Sequence, residues 1–83
     1  MGDGNFDYTL YGTSACHLCE LAEALLESVG DAVGRPAFQK VDISESDELF
    51  ERYGVRIPVL RHRSGEELGW PFSAQELRLF LSR

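Results

Sequence analysis

Cys16-His17-Leu18-Cys19 contains both cysteines of the chain, with two residues between them, and these side chains are the best placed for chemistry. Two thiols at that spacing can exchange with a disulfide: a thiolate attacks, a mixed disulfide forms, and the second thiol releases it. Exchange needs one of the two held as thiolate. Before the pair, Tyr8-Thr9-Leu10-Tyr11 is β-branched and aromatic in character and reads as a strand, and Gly12-Thr13-Ser14 supplies turn residues. Behind it, Leu18, Leu21, Ala22, Leu25, Leu26 and Val29 recur at helical spacing, with Glu20, Glu23 and Glu27 on the opposite side. The pattern predicts a helix that starts at or next to Cys16. Unbonded N–H groups and the positive end of the macrodipole favour a thiolate there, and such settings bring a cysteine pKa from about 8.5 down to roughly 3.5–7.5. Cys19, three positions on, falls on the same side one turn deeper. Cys16 is therefore expected to attack and Cys19 to resolve.

The rest of the composition narrows what surrounds this chemistry. A chain of 83 residues with 43% hydrophobic and 11% aromatic side chains has room for one small globular domain and no second. Its formal net charge of −6 argues against nucleic acid or an anionic membrane as the main partner. No apolar run approaches the roughly 20 residues that span a bilayer. The start Met1-Gly2-Asp3-Gly4-Asn5 has no basic or apolar leader region, and Phe6 stands where a myristoylation signal has Ser or Thr. One cysteine pair cannot supply the several bridges of a small secreted scaffold, and a bridge three positions long adds little stability. A monomeric cytoplasmic protein with a redox-active pair is the expectation.

The remaining elements follow from local signals. Ala37-Phe38-Gln39-Lys40-Val41-Asp42-Ile43, after the Gly34-Arg35-Pro36 break, alternates as a second strand, parallel to the first through a βαβ crossover. Ser44 with Asp47, or Ser46, caps a short helix through Leu49, Phe50 and Tyr53 that closes at Gly54. Val59-Leu60-Arg61-His62-Arg63 and Glu67-Leu68-Gly69-Trp70 flank a Ser-Gly turn and read as a hairpin. Ser73 and Glu76 form a capping box ahead of Leu77, Phe80 and Leu81, so a terminal helix packs on the sheet. The order is β-α-β-α-β-β-α, an α/β architecture with a mixed four-stranded sheet flanked by three helices.

With that order and the C-x-x-C in place, the chain from Tyr8 to Phe80 resembles the thioredoxin fold, and specifically the small glutaredoxin-like proteins. Leu10-Tyr11-Gly12-Thr13-Ser14-Ala15-Cys16-His17-Leu18-Cys19-Glu20 is similar to their C-H-L-C-E variant. Arg56-Ile57-Pro58-Val59 is similar to their motif with a cis-proline beside the active cysteines. The resemblance implies a disulfide reductase with Cys16 and Cys19 catalytic, and a cis Ile57-Pro58 bond that leaves the Ile57 backbone free for an extended substrate. It requires no bound cofactor, and it takes reducing equivalents from glutathione or from a thioredoxin-reductase-like partner. Three positions depart from the glutathione-using members, which carry Pro-Tyr at His17-Leu18, lysine at Thr13, and a Gly-Gly turn followed by Asp near Gly69-Trp70. Arg56 is the candidate replacement for the lost positive charge.

Other readings stand beside this one. A structural zinc site needs about four ligands, and His17 and His62 are the other soft or borderline donors, so a metal or iron–sulfur role requires ligands shared across a dimer. A third reading is a redox-inactive interaction module. His17, when protonated, would stabilise a Cys16 thiolate, although a solvated first-turn histidine serves equally well as its description. His62 receives no site role. Trp70 is a candidate wall of a substrate groove together with Tyr11 and Phe72, and Arg56, Arg61 and Arg63 form either an anion site or a balance for an acidic surface.

Overall fold

The computed structural model describes residues 6–34 and 36–82, so Arg35 of the predicted break and the start 1–5 lie outside the described residues. Strand β1 (Tyr8–Gly12) lies inside the sheet because its apolar alternation serves both faces. Tyr8 and Leu10 point into one core, and Tyr11 into a second. Helix α1 (His17–Ala32) carries the chain back to β2 (Phe38–Asp42), which pairs parallel to β1. Helix α2 (Asp47–Tyr53) then leads to β3 (Val59–His62), antiparallel to β1, and to β4 (Glu67–Gly69), antiparallel to β3. Helix α3 (Ala74–Leu81) completes a four-stranded sheet of order β2-β1-β3-β4 with three helices, the predicted architecture.

The main core joins α1 and α3 to one face of the sheet through Leu26, Leu60, Leu77 and Phe80. Each such side chain, taken fully from water, contributes about 1.5–3 kcal/mol. On the other face, α2 packs Tyr53 against Ile43 and Val59, and Tyr11 stacks on Tyr53 with ring centroids 4.4 Å apart. Ser73 caps α3 as predicted, its hydroxyl accepting from the Glu76 N–H at 3.1 Å while the Glu76 carboxylate accepts from the Ser73 N–H at 2.9 Å. The predicted hairpin turn closes through Gly65, whose φ of 103° is a conformation that glycine adopts at no steric cost.

Three details of the predicted packing differ. Leu18 and Leu21 are 45% exposed, and the buried face of α1 is made by Cys19, Ala22, Leu26, Val29 and Gly30. The helix is rotated so that Cys19, not the two leucines, meets the sheet. Phe50 is exposed on α2, where Tyr53 takes the core position. Ser46 rather than Ser44 caps α2, because the Ser44 amide and hydroxyl both turn back to Asp42, at 2.9 and 2.6 Å, in a short 3-10 turn.

Candidate redox site

Cys16 is the N-cap of α1: its backbone is extended while its carbonyl already accepts from the Glu20 N–H at 3.2 Å. Its sulfur faces the first turn and accepts from the Cys19 N–H at 3.0 Å. A disulfide joins Cys16 and Cys19, whose Cα atoms are 5.2 Å apart. Cys16 is half-buried and Cys19 is 8% exposed, the order of accessibility expected from the helix spacing.

Gly12, which the sequence offers only as a turn residue, is the last residue of β1 and makes this seating possible. A Cβ there would stand 2.8 Å from the Cys19 sulfur and 3.1 Å from its Cβ, too close for any side chain without movement. The signal was a glycine ending a strand four residues before the first cysteine. Register places Pro58 next to Gly12 across the sheet, since Tyr11 pairs with Val59. The cis-proline position thus borders the glycine on which Cys19 rests.

The Ile57-Pro58 bond is cis, as the resemblance implies, and a second cis bond, Trp70-Pro71, was not anticipated. Of the Ile57 backbone, expected to be free for substrate, the N–H is engaged: it donates to the Tyr53 carbonyl at 3.1 Å, because the chain leaves α2 through a tight turn. The Pro58 carbonyl accepts from the Trp70 N–H at 3.1 Å, which ties β4 to this loop. The Trp70 ring meets Phe72 edge-on at 5.1 Å and packs against the main core.

The other expected contributors divide. Thr13 stays with the cysteines, lining a cavity of about 340 Å³ on the β2 side together with Cys19, Glu20, Glu23, Lys40 and Asp42. Lys40 is paired with Glu23 at 3.0 Å, and Asp42 is held below the usual carboxylate range by the Ser44 hydroxyl and amide. His17 projects into solvent with Glu20 at 3.9 Å, a contact too exposed to contribute much. Arg56 is engaged by β4 and α2. It donates to the Glu67 carboxylate at 2.7 Å and lies over the Tyr53 ring, while the Tyr53 hydroxyl donates to the other Glu67 oxygen at 2.6 Å. Tyr53 and then Arg56 lower the Glu67 pKa, and burial raises that of Tyr53. Among the described residues no group of three or more His, Cys, Asp or Glu is placed to hold a metal ion, and no helix is long and apolar enough to cross a membrane.

A mixed sheet with α1 and α3 on one face, α2 on the other and a C-x-x-C pair capping α1 defines a redox-capable protein of thioredoxin-like fold. The chain belongs to the glutaredoxin-like domain (DUF836) family, whose model matches residues 7–82. The X-ray structure of the X. campestris protein XcR50 is similar at 43% identity and a TM-score of 0.79, over 89% of this chain and 93% of that one. The solution structure of XcR50 gives 41% and 0.78, over 92% of each chain. Protein Ne2328 from Nitrosomonas europaea, at 24% identity and a TM-score of 0.75 over 89% of this chain and 88% of that one, shares the fold. No curated protein matches the chain.

Proposed function

We propose that the protein is a thiol–disulfide oxidoreductase that reduces protein or small-molecule disulfides with the Cys16/Cys19 dithiol. The observation that carries this reading is the Cys19 N–H aimed at the Cys16 sulfur from the first turn of α1. In the reduced protein the same donor and the helix terminus favour negative charge on that sulfur. The Cys16 thiolate attacks one sulfur of the substrate disulfide, whose other half leaves as a thiol after taking a proton. Cys19, held below, then loses its proton and attacks the Cys16 sulfur. The second half of the substrate leaves, and the protein ends as the disulfide; two electrons have passed from protein to substrate.

Reducing equivalents then return from a thioredoxin-reductase-like partner more readily than from glutathione. Thr13 offers no charge to a glutathione carboxylate, the neighbouring cavity carries Glu20 and Asp42, and Arg56 is engaged by Glu67. We read the protein as acting as a cytoplasmic monomer, with no metal or organic cofactor bound. The test is disulfide reduction by single variants. Cys16→Ser should abolish turnover, and Cys19→Ser should accumulate mixed disulfides with substrate. Full activity in Cys16→Ser would overturn the reading.

A further inference from the structure

Helix α2 has only seven residues, so it covers only part of its face of the sheet. It closes over the apolar row Val41, Tyr11 and Val59, while the next row, Gln39, Thr9, Arg61 and Glu67, is left without a helix above it. A groove of about 430 Å³ runs there, within the range of roughly 300–1,000 Å³ typical of small-molecule sites. Phe6, Tyr11 and Leu49 make its apolar walls. Arg61, half-buried on β3, lines it beside Arg63 and His62; among the described residues its guanidinium donates no hydrogen bond, and it reaches along the strand to within 3.8 Å of where a Cβ on Gly65 would stand, free to swing over the groove. The nearest carboxylate across the strands, Glu67, is already held by Tyr53 and Arg56. At the rim, Arg63 is paired with Asp7 at 3.0 Å. The Thr9 hydroxyl accepts from the Gln39 amide at 3.2 Å, which leaves its own proton for a further acceptor.

We propose that this groove binds a small carboxylate with a flat apolar body, its charge on Arg61 and Thr9 and its body against Phe6, Tyr11 and Leu49. The planar guanidinium fork matches a carboxylate with two parallel hydrogen bonds. Arg61, whose charge acts only on a Glu67 carboxylate that Tyr53 and Arg56 already hold by hydrogen bonds, suits a monoanion, because a dianion such as phosphate would also meet Asp7, Glu67 and the chain's net charge of −6. The groove lies on the α2 face, whereas Cys19 rests on the α1 face, so occupancy is independent of the disulfide.

The test is amide NMR titration of the 15N-labelled protein with 2-naphthoate, beside its neutral analogue 2-naphthalenemethanol and beside acetate. Expected are saturable shifts at Thr9, Gln39, Leu49 and Arg61, equal in the oxidised and reduced protein. Arg61→Gln should weaken binding at least about fivefold, and Arg61→Lys, which keeps charge but not the fork, should fall between. The neutral analogue should lose a similar factor, and acetate, without an apolar body, should give no saturable shift. Equal affinity for the neutral analogue, an unchanged affinity in Arg61→Lys and Arg61→Gln, no shifts, or shifts centred on Cys16 would each overturn the proposal. The comparison of probes on the unmodified protein decides the matter even where a variant fails to fold.

Discussion

Gly12→Ala is the substitution on which the redox site turns. The new Cβ would stand 2.8 Å from the Cys19 sulfur, about 0.6 Å inside the 3.4 Å at which such contacts become ordinary. Neither atom is the end of a long flexible side chain, because Cys19 sits on α1 and Gly12 on an interior strand. Something rigid must move, and overpacking of this kind costs about 1–3 kcal/mol. In a domain of this size each kcal/mol lowers Tm by about 4–8 °C. The same displacement moves the Cys19 sulfur, the resolving one in the proposed reaction, off its line to Cys16. A misplacement near 1 Å in a reacting group costs up to about 100-fold, so release of the mixed disulfide should slow by about 10- to 100-fold while the first attack persists. Thermal denaturation and stopped-flow reduction of a chromogenic disulfide read the two effects. Gly69→Ala is the control: a Cβ there meets nothing within 4 Å, so Tm should hold or rise slightly as the unfolded chain loses freedom. A Gly12→Ala protein that melts with the wild type and resolves at the wild-type rate would refute the argument.

In the reduced protein, Cys16 should be alkylated at least about tenfold faster than Cys19 at neutral pH, since it is the more accessible sulfur and the one facing an N–H donor; mass spectrometry of each single Cys→Ser variant checks this. With glutathione as sole reductant, turnover should be poor, and Thr13→Lys should raise it about 3- to 10-fold, less than a full charge-assisted bond because acidic side chains share that cavity; efficient turnover by the unmodified protein would point elsewhere for the donor site. Glu67→Gln should cost about 1–2 kcal/mol through its lost ties to Tyr53 and Arg56. Because the folded protein depresses the Glu67 pKa from 4.5, its stabilisation is present above the unfolded value and is lost as pH falls through the folded one. The acid limb of a Tm-versus-pH curve should therefore be shallower in Glu67→Gln.

The order of elements was legible because each had an independent local signal: β-branched runs, the Ser73/Glu76 box, the Ser64-Gly65 turn. Strand limits moved by one residue at β2, where Asp42 begins to cap a turn that the alternation through Ile43 conceals. Helical periodicity located α1 but not its rotation. Leu18 and Leu21 make as good a stripe as Cys19, Ala22 and Leu26, and only long-range packing, with Cys19 on Gly12 and Leu26 in the main core, chooses between them. The cysteine pair was readable from spacing alone. The fate of Arg56 was not, because its partner Glu67 is eleven residues away on a strand whose register local patterns do not fix. The same long-range geometry engages the Ile57 N–H with Tyr53.

Glu67 has a further consequence for motion. Strand β4 has three residues and lies at the sheet edge, where a segment so short frays readily. Its side chain nonetheless reaches the last residue of α2 and the residue two before the cis-proline, and its neighbour Trp70 hydrogen-bonds Pro58. Opening of β4 should therefore release the side-chain ties to the end of α2 and the loop before the cis-proline in the same event. The amides of Tyr53–Ile57 and Glu67–Trp70 are therefore expected to share one opening free energy in hydrogen exchange, and a ligand that holds the loop should also slow exchange at the far edge of the sheet.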